Sequence, residues 1–236
     1  MNFSELENIV SEERLRRYLM ACDGNPSMAM VLYRYNIRVS LEMFAVVGAF
    51  EVALRNSIDR VMTGRFGSDW LRNAVLPGGI FDRPECRDHA KIIRSSYEKL
   101  LRQNSYNHGH LLSNMEFGIW KYMFSGPQFR AAGRVLLKVF PNKPTSTRSI
   151  QYNNTYIFNE LDRVNSLRNR IAHHEPICFP TGLATITVSY IEYIYEKILR
   201  LFNWLDIDAH DYLDGIDHVQ QLCAEISCLV HSDGDF

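Results

Sequence analysis

The sequence predicts an all-α protein, and three observations lead to that class. Apolar residues recur at three- and four-residue steps over long stretches, most clearly between Met28 and Val61. No segment alternates apolar and polar residues convincingly, as a half-buried β-strand would. Short runs that typically break helices separate the periodic stretches, such as DGNP at 23–26 and FPNKPTS at 140–146.

These breaks define the expected elements in order. A first helix is expected after Ser11, which is a good N-cap residue, and a long helix begins at Pro26 and closes near the segment TGRFGSDW. Residues 68–82 are expected to form a loop or short turns. The remaining predicted helices cover residues 84–103, 112–124, 127–139, about 152–173, 181–205 and 208–231.

Length and composition indicate a globular protein. We expect one helical domain over residues 1–205, with an acidic C-terminal helix and tail, 206–236, packed on it. Hydrophobic residues make up 46% of the chain, which is too many for a disordered protein, and the net charge is only −1. The N-terminus lacks the apolar core of a signal peptide, and the longest apolar run, MFAVVGAF, is too short to span a bilayer.

The cysteines indicate the cellular compartment, and the charge distribution indicates the kind of partner. The five cysteines are scattered and form no C-x-x-C pair, so we expect reduced thiols in a cytoplasmic protein without a membrane partner. Residues 117–159 carry six basic residues and no acid, whereas 206–236 carry eight acids and no Lys or Arg. The basic stretch predicts an anionic partner, and we expect Lys138, Lys143 and Arg148 to contact RNA.

The acidic C-terminal segment admits three interpretations. It can be a solvated helical face, it can lie across a basic groove and inhibit it, or it can dock a basic partner. The aromatic residues that are interleaved with the basic stretch are, for the most part, core residues at helical spacing.

The stretch SLRNRIAHHEPICF, residues 166–179, places five polar residues within seven positions just before a proline: Arg168, Asn169, Arg170, His173 and His174. On a helix, Asn169 and His173 share a face, as do Arg170 and His174, because each pair is four residues apart. Arg168 and His173 would flank one groove. Two copies of this helix, related by a two-fold axis, would bring four cationic groups to one point, which suits a scissile phosphate.

The sequence LRNRIAHHEP resembles the Abi-like (abortive infection) protein family, within the HEPN superfamily. The resemblance extends to ERLRRYL and the long helix that follows it, and to FGIWKYMFS, so that it covers roughly residues 11–205. It implies a HEPN-like helical bundle with additional helices, often a homodimer. The family motif, Arg, a polar residue, three variable residues and His, falls on Arg168, Asn169 and His173.

The resemblance also implies an activity. Active members are metal-independent endoribonucleases that use the ribose 2′-OH as the nucleophile, so no metal and no cofactor are expected. By resemblance, His173 would transfer protons and Arg168 would stabilise the phosphorane. Asn169 would orient either His173 or Arg168, and a histidine at the position of His174 is frequent in the family. The implied role is an RNA-cleaving toxin in bacterial antiphage defence, restrained by an antitoxin protein, a small structured RNA or a modifying enzyme.

Other interpretations remain open at this stage. His173 can be a helix-capping residue, and Arg168 an ion-pair partner of Asp162 or Glu175. Glu51 and Arg55 form either a helix-stabilising i,i+4 pair or part of the groove, where Arg170 would also lend support. The alternative functions are a non-catalytic module that binds RNA, a nucleotide or a protein, and a purely structural helical dimer. The histidines lack the spacing of a metal site.

Overall fold

The computed structural model describes residues 1–231 and confirms the all-α class. About 69% of the chain is helical, and the described residues form twelve α-helices and no β-strand. None of the helices within this part of the chain is both long enough and apolar enough to cross a lipid bilayer.

The elements follow one another along the chain, and two short 3₁₀ turns lie at Pro84–Cys86 and Val135–Val139. The α-helices are α1 (Phe3–Val10), α2 (Glu12–Ala21), α3 (Pro26–Phe66), α4 (Trp70–Val75), α5 (Arg87–Arg102), α6 (His108–Ser113), α7 (Phe117–Tyr122), α8 (Gly126–Ala131), α9 (Asn154–Ala172), α10 (Ser189–Trp204), α11 (Ala209–Tyr212) and α12 (Val219–His231).

Several predicted helices are confirmed with small changes at their ends. The long helix starts at Pro26 as expected, and α9 lies within the predicted range 152–173. Helix α1 was not predicted, although Asn2 and Glu5 form a capping box at its start. Residues 68–82, expected to be loop or short turns, include the short helix α4.

Other predicted helices were too long, because left-handed backbone positions interrupt them. The expected helix 127–139 divides after α8, where Gly133 and Arg134 both have positive φ. The expected helix 208–231 divides around Gly215, whose φ is +73°. Helix α10 begins only at Ser189, and the Thr-rich, β-branched segment 181–188 before it has no regular structure.

The chain divides into two compact units. Unit 1 consists of Met1–Gly48, Ser166–Leu199 and the segment that begins at Leu213, and unit 2 consists of Ala49–Asn165 and Arg200–Tyr212. Helices α3, α9 and α10 each contribute residues to both units. The predicted single domain over 1–205, with 206–236 packed on it, stays a prediction.

Unit 2 has an aromatic core and paired buried charges. The ring of Phe50 packs against those of Phe117 and Phe202, with centroids 6.2 and 5.3 Å apart. The carboxylate of Glu160, 3% exposed, accepts hydrogen bonds from Arg163 and Arg200, both at 2.5 Å. These partners matter because a buried carboxylate without a countercharge destabilises a fold strongly.

His89 is a buried titratable group of unit 2 that lacks such partners. It is 5% exposed, packs edge-on against Phe81, and neither ring nitrogen has a hydrogen-bond partner within the described residues. Burial lowers the pKa of His89 from 6.5 to about 4. The folded protein therefore holds this ring in its neutral form.

We expect His89 to make the protein less stable in mild acid. Between pH 6.5 and about 4 the unfolded chain binds a proton on His89 that the folded protein does not, so the free energy of unfolding falls as the pH falls through that window. The loss should reach about 3 kcal/mol, which is the free energy that such a pKa difference represents. Urea denaturation of wild type and His89→Leu from pH 7 to pH 4 measures it.

The two proteins should differ in the pH dependence of unfolding, with a flatter profile for His89→Leu. His210→Gln, at an exposed histidine, is the matched control and should follow the wild type. Parallel profiles for wild type and His89→Leu would show that His89 is not the titrating group.

Candidate active site at the end of helix α9

Helix α9 ends in a Schellman motif that positions both histidines. The N–H of Glu175 donates to the carbonyl of Arg170 at 2.8 Å, and the N–H of His174 donates to that of Ile171 at 2.9 Å. His174 has φ +56°, the left-handed conformation that this motif requires. His173 is therefore the C-cap residue, and its own N–H still donates to the Asn169 carbonyl at 2.9 Å.

This geometry places Asn169 and His173 one helical turn apart, as predicted. Both residues are exposed, and Arg168 beside them is half-buried. Within residues 1–231, the structure gives no hydrogen bond or ion pair to the side chains of Arg168, Asn169 and His173. The polar atoms of these three side chains are thus not engaged by neighbouring elements of the described chain.

Arg170 and His174 do not share a helical face, which corrects the prediction for this pair. The left-handed backbone at His174 takes it out of the helix. The Arg170 side chain instead donates to the carbonyls of Pro176 at 2.6 Å and Phe179 at 3.0 Å. It also lies 3.5 Å from the carboxylate of Glu175, so Glu175 pairs with Arg170. Arg170 therefore holds the chain that leaves the helix.

The segment that follows the motif is irregular but firmly attached. Asn36, 6% exposed on α3, accepts hydrogen bonds through Oδ1 from the N–H groups of Ile177 at 2.9 Å and Cys178 at 3.2 Å. Two arginines of α2 bind backbone carbonyls of the same segment: Arg17 donates from Nε to Leu183 at 2.7 Å, and Arg14 donates to His174. The contacts from Asn36 satisfy buried N–H groups that regular structure would otherwise pair, and the two arginines bind carbonyls nearer the surface.

The sequence patterns did not single out Asn36, Arg14 or Arg17. Asn36 lies 141 residues from its partner Ile177, and no local spacing reveals such a contact. A weak signal existed in retrospect, because Asn36 is the one amide within an otherwise apolar face of the long helix, and buried amides require partners.

An aromatic cluster packs against the segment that follows α9. Tyr18 is buried and packs edge-on against Tyr33 and Phe179, with ring centroids 5.3 and 5.1 Å apart. The guanidinium of Arg17 lies 4.9 Å from the centroid of the Phe179 ring. Burial raises the pKa of Cys178 to about 12, so this thiol stays protonated and is a packing group, not a nucleophile.

Of the three motif residues, His173 lines a basic cleft of about 570 Å³. Arg14, Arg16 and Arg17 of α2 line one side of the cleft, and His173 and His174 line the other. The carboxylates of Glu13 and Glu175 are also in the lining, and Glu13 lies 2.9 Å from Arg16. That pair is highly exposed and so contributes little energy. The cleft therefore brings two imidazoles together with three guanidinium groups and two carboxylates.

The other predicted site residues lie in unit 2. Glu51 and Arg55 are half-buried, and Arg55 Nε donates to Asn56 Oδ1 at 3.3 Å. Lys138 and Arg148 are exposed and Lys143 is half-buried. Their contributions to RNA binding, and the supporting roles of Glu51 and Arg55, stay predictions.

No metal centre is apparent in the part of the chain that the structure describes. Residues 1–231 contain no group of three or more His, Cys, Asp or Glu side chains arranged to hold an ion. The ordinary ligand sets of structural and catalytic zinc, for example, need three or four such residues.

The conformation of His174 leads to a test of the helix end. A non-glycine residue in the left-handed region costs about 1 kcal/mol or more, and glycine does not carry that cost. We expect His174→Gly to raise the free energy of unfolding by about 0.5–1 kcal/mol, and His174→Val to lower it by about 1–2 kcal/mol. Urea denaturation measures both changes.

Ala172→Gly, two residues earlier and still inside α9, is the matched control. It should lower the free energy of unfolding by about 0.5–1 kcal/mol, because glycine is unfavourable within a helix. A destabilised His174→Gly protein would contradict the Schellman assignment, since the hydrogen bond from Arg14 goes to the backbone carbonyl and survives the change.

Comparison with known proteins adds no relative to this description. No protein-family model matches the chain, and neither a curated protein nor a solved structure is significantly similar to it. The fold class and the geometry at the end of α9 therefore come from this structure alone, and the family resemblance of LRNRIAHHEP enters the proposal that follows.

Proposed function

We propose that this protein is a metal-independent endoribonuclease of the Abi-like, HEPN type, acting as an RNA-cleaving toxin in bacterial antiphage defence. One observation carries the proposal. Arg168, Asn169 and His173, which match the family motif, lie within about one and a half turns at the end of α9, and their side chains have no hydrogen-bond or ion-pair partner within residues 1–231. Phosphodiester cleavage by the 2′-OH requires proton transfer and stabilisation of the charge on the phosphorane, which an imidazole and a guanidinium can supply.

The proposed reaction is an internal transesterification. The ribose 2′-oxygen attacks the adjacent phosphorus and forms a P–O2′ bond, while the bond from phosphorus to the 5′-oxygen breaks. The products are a 2′,3′-cyclic phosphate and a free 5′-hydroxyl. One proton leaves the 2′-OH and one reaches the 5′-oxygen, so no water, metal or redox partner enters the balance.

Each motif residue has a distinct task in this step. His173 transfers the protons, because an imidazole exchanges them near neutral pH. Arg168 stabilises the charge that develops on the phosphorane oxygens, and Asn169 orients the phosphate or the imidazole. In a homodimer with a two-fold axis, one His173 would act as base and its copy as acid, which fits the family expectation of a dimer.

The biological setting follows from the resemblance. A cytoplasmic ribonuclease toxin needs restraint, so we expect an antitoxin protein, a small structured RNA or a modifying enzyme as partner. Lys138, Lys143 and Arg148 of unit 2 are the expected additional contacts to RNA, since exposed basic side chains bind phosphates without regard to sequence.

A second candidate is a non-catalytic module that binds RNA, a nucleotide or a protein. The observation that favours it is the lack, within residues 1–231, of a hydrogen-bond partner for the His173 ring. Catalytic imidazoles usually have a partner that sets the tautomer and the ring orientation.

The test is cleavage of total RNA by purified protein in EDTA, with products resolved on a denaturing gel. We expect discrete cleavage by the wild type and a loss of about 10²–10⁴-fold in rate for His173→Ala, which removes the proton-transferring group. Binding of RNA by His173→Ala should stay within about threefold of wild type, since Arg168 and the cleft arginines remain.

His210→Ala, at an exposed histidine away from the motif sequence, is the matched control and should cleave normally. Cleavage that stops in EDTA, or that persists in His173→Ala, would overturn the proposed mechanism. Intact RNA with the folded wild type, combined with tight binding that Arg168→Ala weakens, would establish the binding module instead.

A further inference from the structure

A second concavity adjoins the basic cleft in unit 1. It is a groove of about 790 Å³ lined by α1, the first half of α3 and the end of α9. Its exposed apolar side chains are large: Ile37 is 40% exposed, Leu41 65% and Phe44 46%. These residues are spaced by four and three positions along α3, so they form one continuous face.

The groove and the cleft meet at the end of α9. Arg14, His174 and Glu175 line both of them. One side of this junction thus presents an apolar surface with an exposed aromatic ring, and the other presents the guanidinium groups of α2 beside His173. The charged cleft and the apolar groove are thus two distinct surfaces that share a border at His174.

The guanidinium groups keep their charge for a ligand. Arg17 and Arg14 donate to backbone carbonyls, which are neutral acceptors, so neither charge is cancelled. Arg16 pairs with Glu13 in a contact that is mostly in water, with 61% and 77% of the two side chains exposed. A phosphate can therefore replace the Glu13 carboxylate as the partner of Arg16 at little cost in free energy.

A single-stranded nucleic acid has the matching chemistry. It alternates an anionic phosphate with a base whose faces are apolar and stack on aromatic side chains. A duplex does not fit, because its base faces are covered by their neighbours in the stack.

We propose that single-stranded RNA crosses the chain at His174, with its phosphates on Arg16 and Arg17 in the cleft and an unstacked base on Phe44 in the groove. This inference rests on the proposed function, because it assigns the strand that His173 would cleave. It names a substrate class, single-stranded RNA, and three binding residues that lie outside the motif, Arg16, Arg17 and Phe44.

The test uses binding without cleavage. A single-stranded oligonucleotide of 2′-O-methyl RNA lacks the attacking hydroxyl, and fluorescence anisotropy gives its Kd at several salt concentrations. For Arg16→Gln we expect affinity about 3- to 10-fold weaker and a plot of log K against log salt that is shallower by about 0.7, the loss of one phosphate contact on a single strand. For Phe44→Ala we expect affinity about 5- to 150-fold weaker.

Matched controls are available in the same unit. Arg34→Gln removes an equal charge from an exposed position outside the cleft, and Tyr193→Ala removes an aromatic ring that is 45% exposed outside the groove. Both should bind with wild-type affinity and salt dependence. The same oligonucleotide annealed to its complement should bind more weakly than the single strand.

Three outcomes would overturn the inference. One is equal salt dependence in wild type and Arg16→Gln, and another is duplex binding as tight as single-strand binding. The third is unchanged RNA affinity in Phe44→Ala, and sedimentation would then show whether the groove is instead a contact between copies of the chain. Circular dichroism and thermal melting of each variant establish that a change in binding is not a change in folding.

Failure of this inference can be separated from failure of the proposed function. Cleavage of unmodified RNA by wild type, with binding unaffected by Arg16→Gln and Phe44→Ala, would retain the nuclease and reject this strand path. Binding that follows the expected pattern, with no cleavage by wild type, would retain the strand path and reject the nuclease.

Discussion

The Oδ1 atom of Asn36 holds the chain in place after α9, and the candidate site depends on that contact. It accepts hydrogen bonds from two consecutive backbone N–H groups, those of Ile177 and Cys178, in the interior of unit 1. A buried N–H without a partner costs about 1–3 kcal/mol, so the chain leaving the helix is strongly favoured along one path. The left-handed turn at His174 leads the chain onto that path, and His173 lies exposed just before the turn.

The polar residues near the end of α9 divide into two groups with different physical roles. Arg170, Arg14 and Arg17 donate to backbone carbonyls and therefore belong to the architecture. Arg168 and His173 carry no such bonds within residues 1–231. Arg14 and Arg17 meet both needs at once, because each donates to a backbone carbonyl and still contributes positive potential to the cleft that it lines.

The sequence predicts what local periodicity controls and misses what distant contacts control. The long helix α3 and the body of α9 are predictable, because their apolar positions repeat over many turns. The break at Gly215 is harder, since helical spacing continues past it and only the backbone conformation interrupts it. Segment 181–188 falls within a predicted helix because the phase from Ile191 onward is helical, although its β-branched residues disfavour a helix. The role of Asn36 depends on a partner 141 residues away, which no spacing rule reaches.

The irregular segment after α9 has a consequence for the dynamics of the site. Segments without regular structure usually exchange their amide protons quickly, because water reaches the backbone. Here the amides of Ile177 and Cys178 are buried and bonded to a side chain of α3, so they should exchange as slowly as those of a core helix. The backbone that follows His173 and His174 is therefore ordered although it has no regular structure. Binding a ligand there would cost little conformational entropy, because the site is ordered before the ligand arrives.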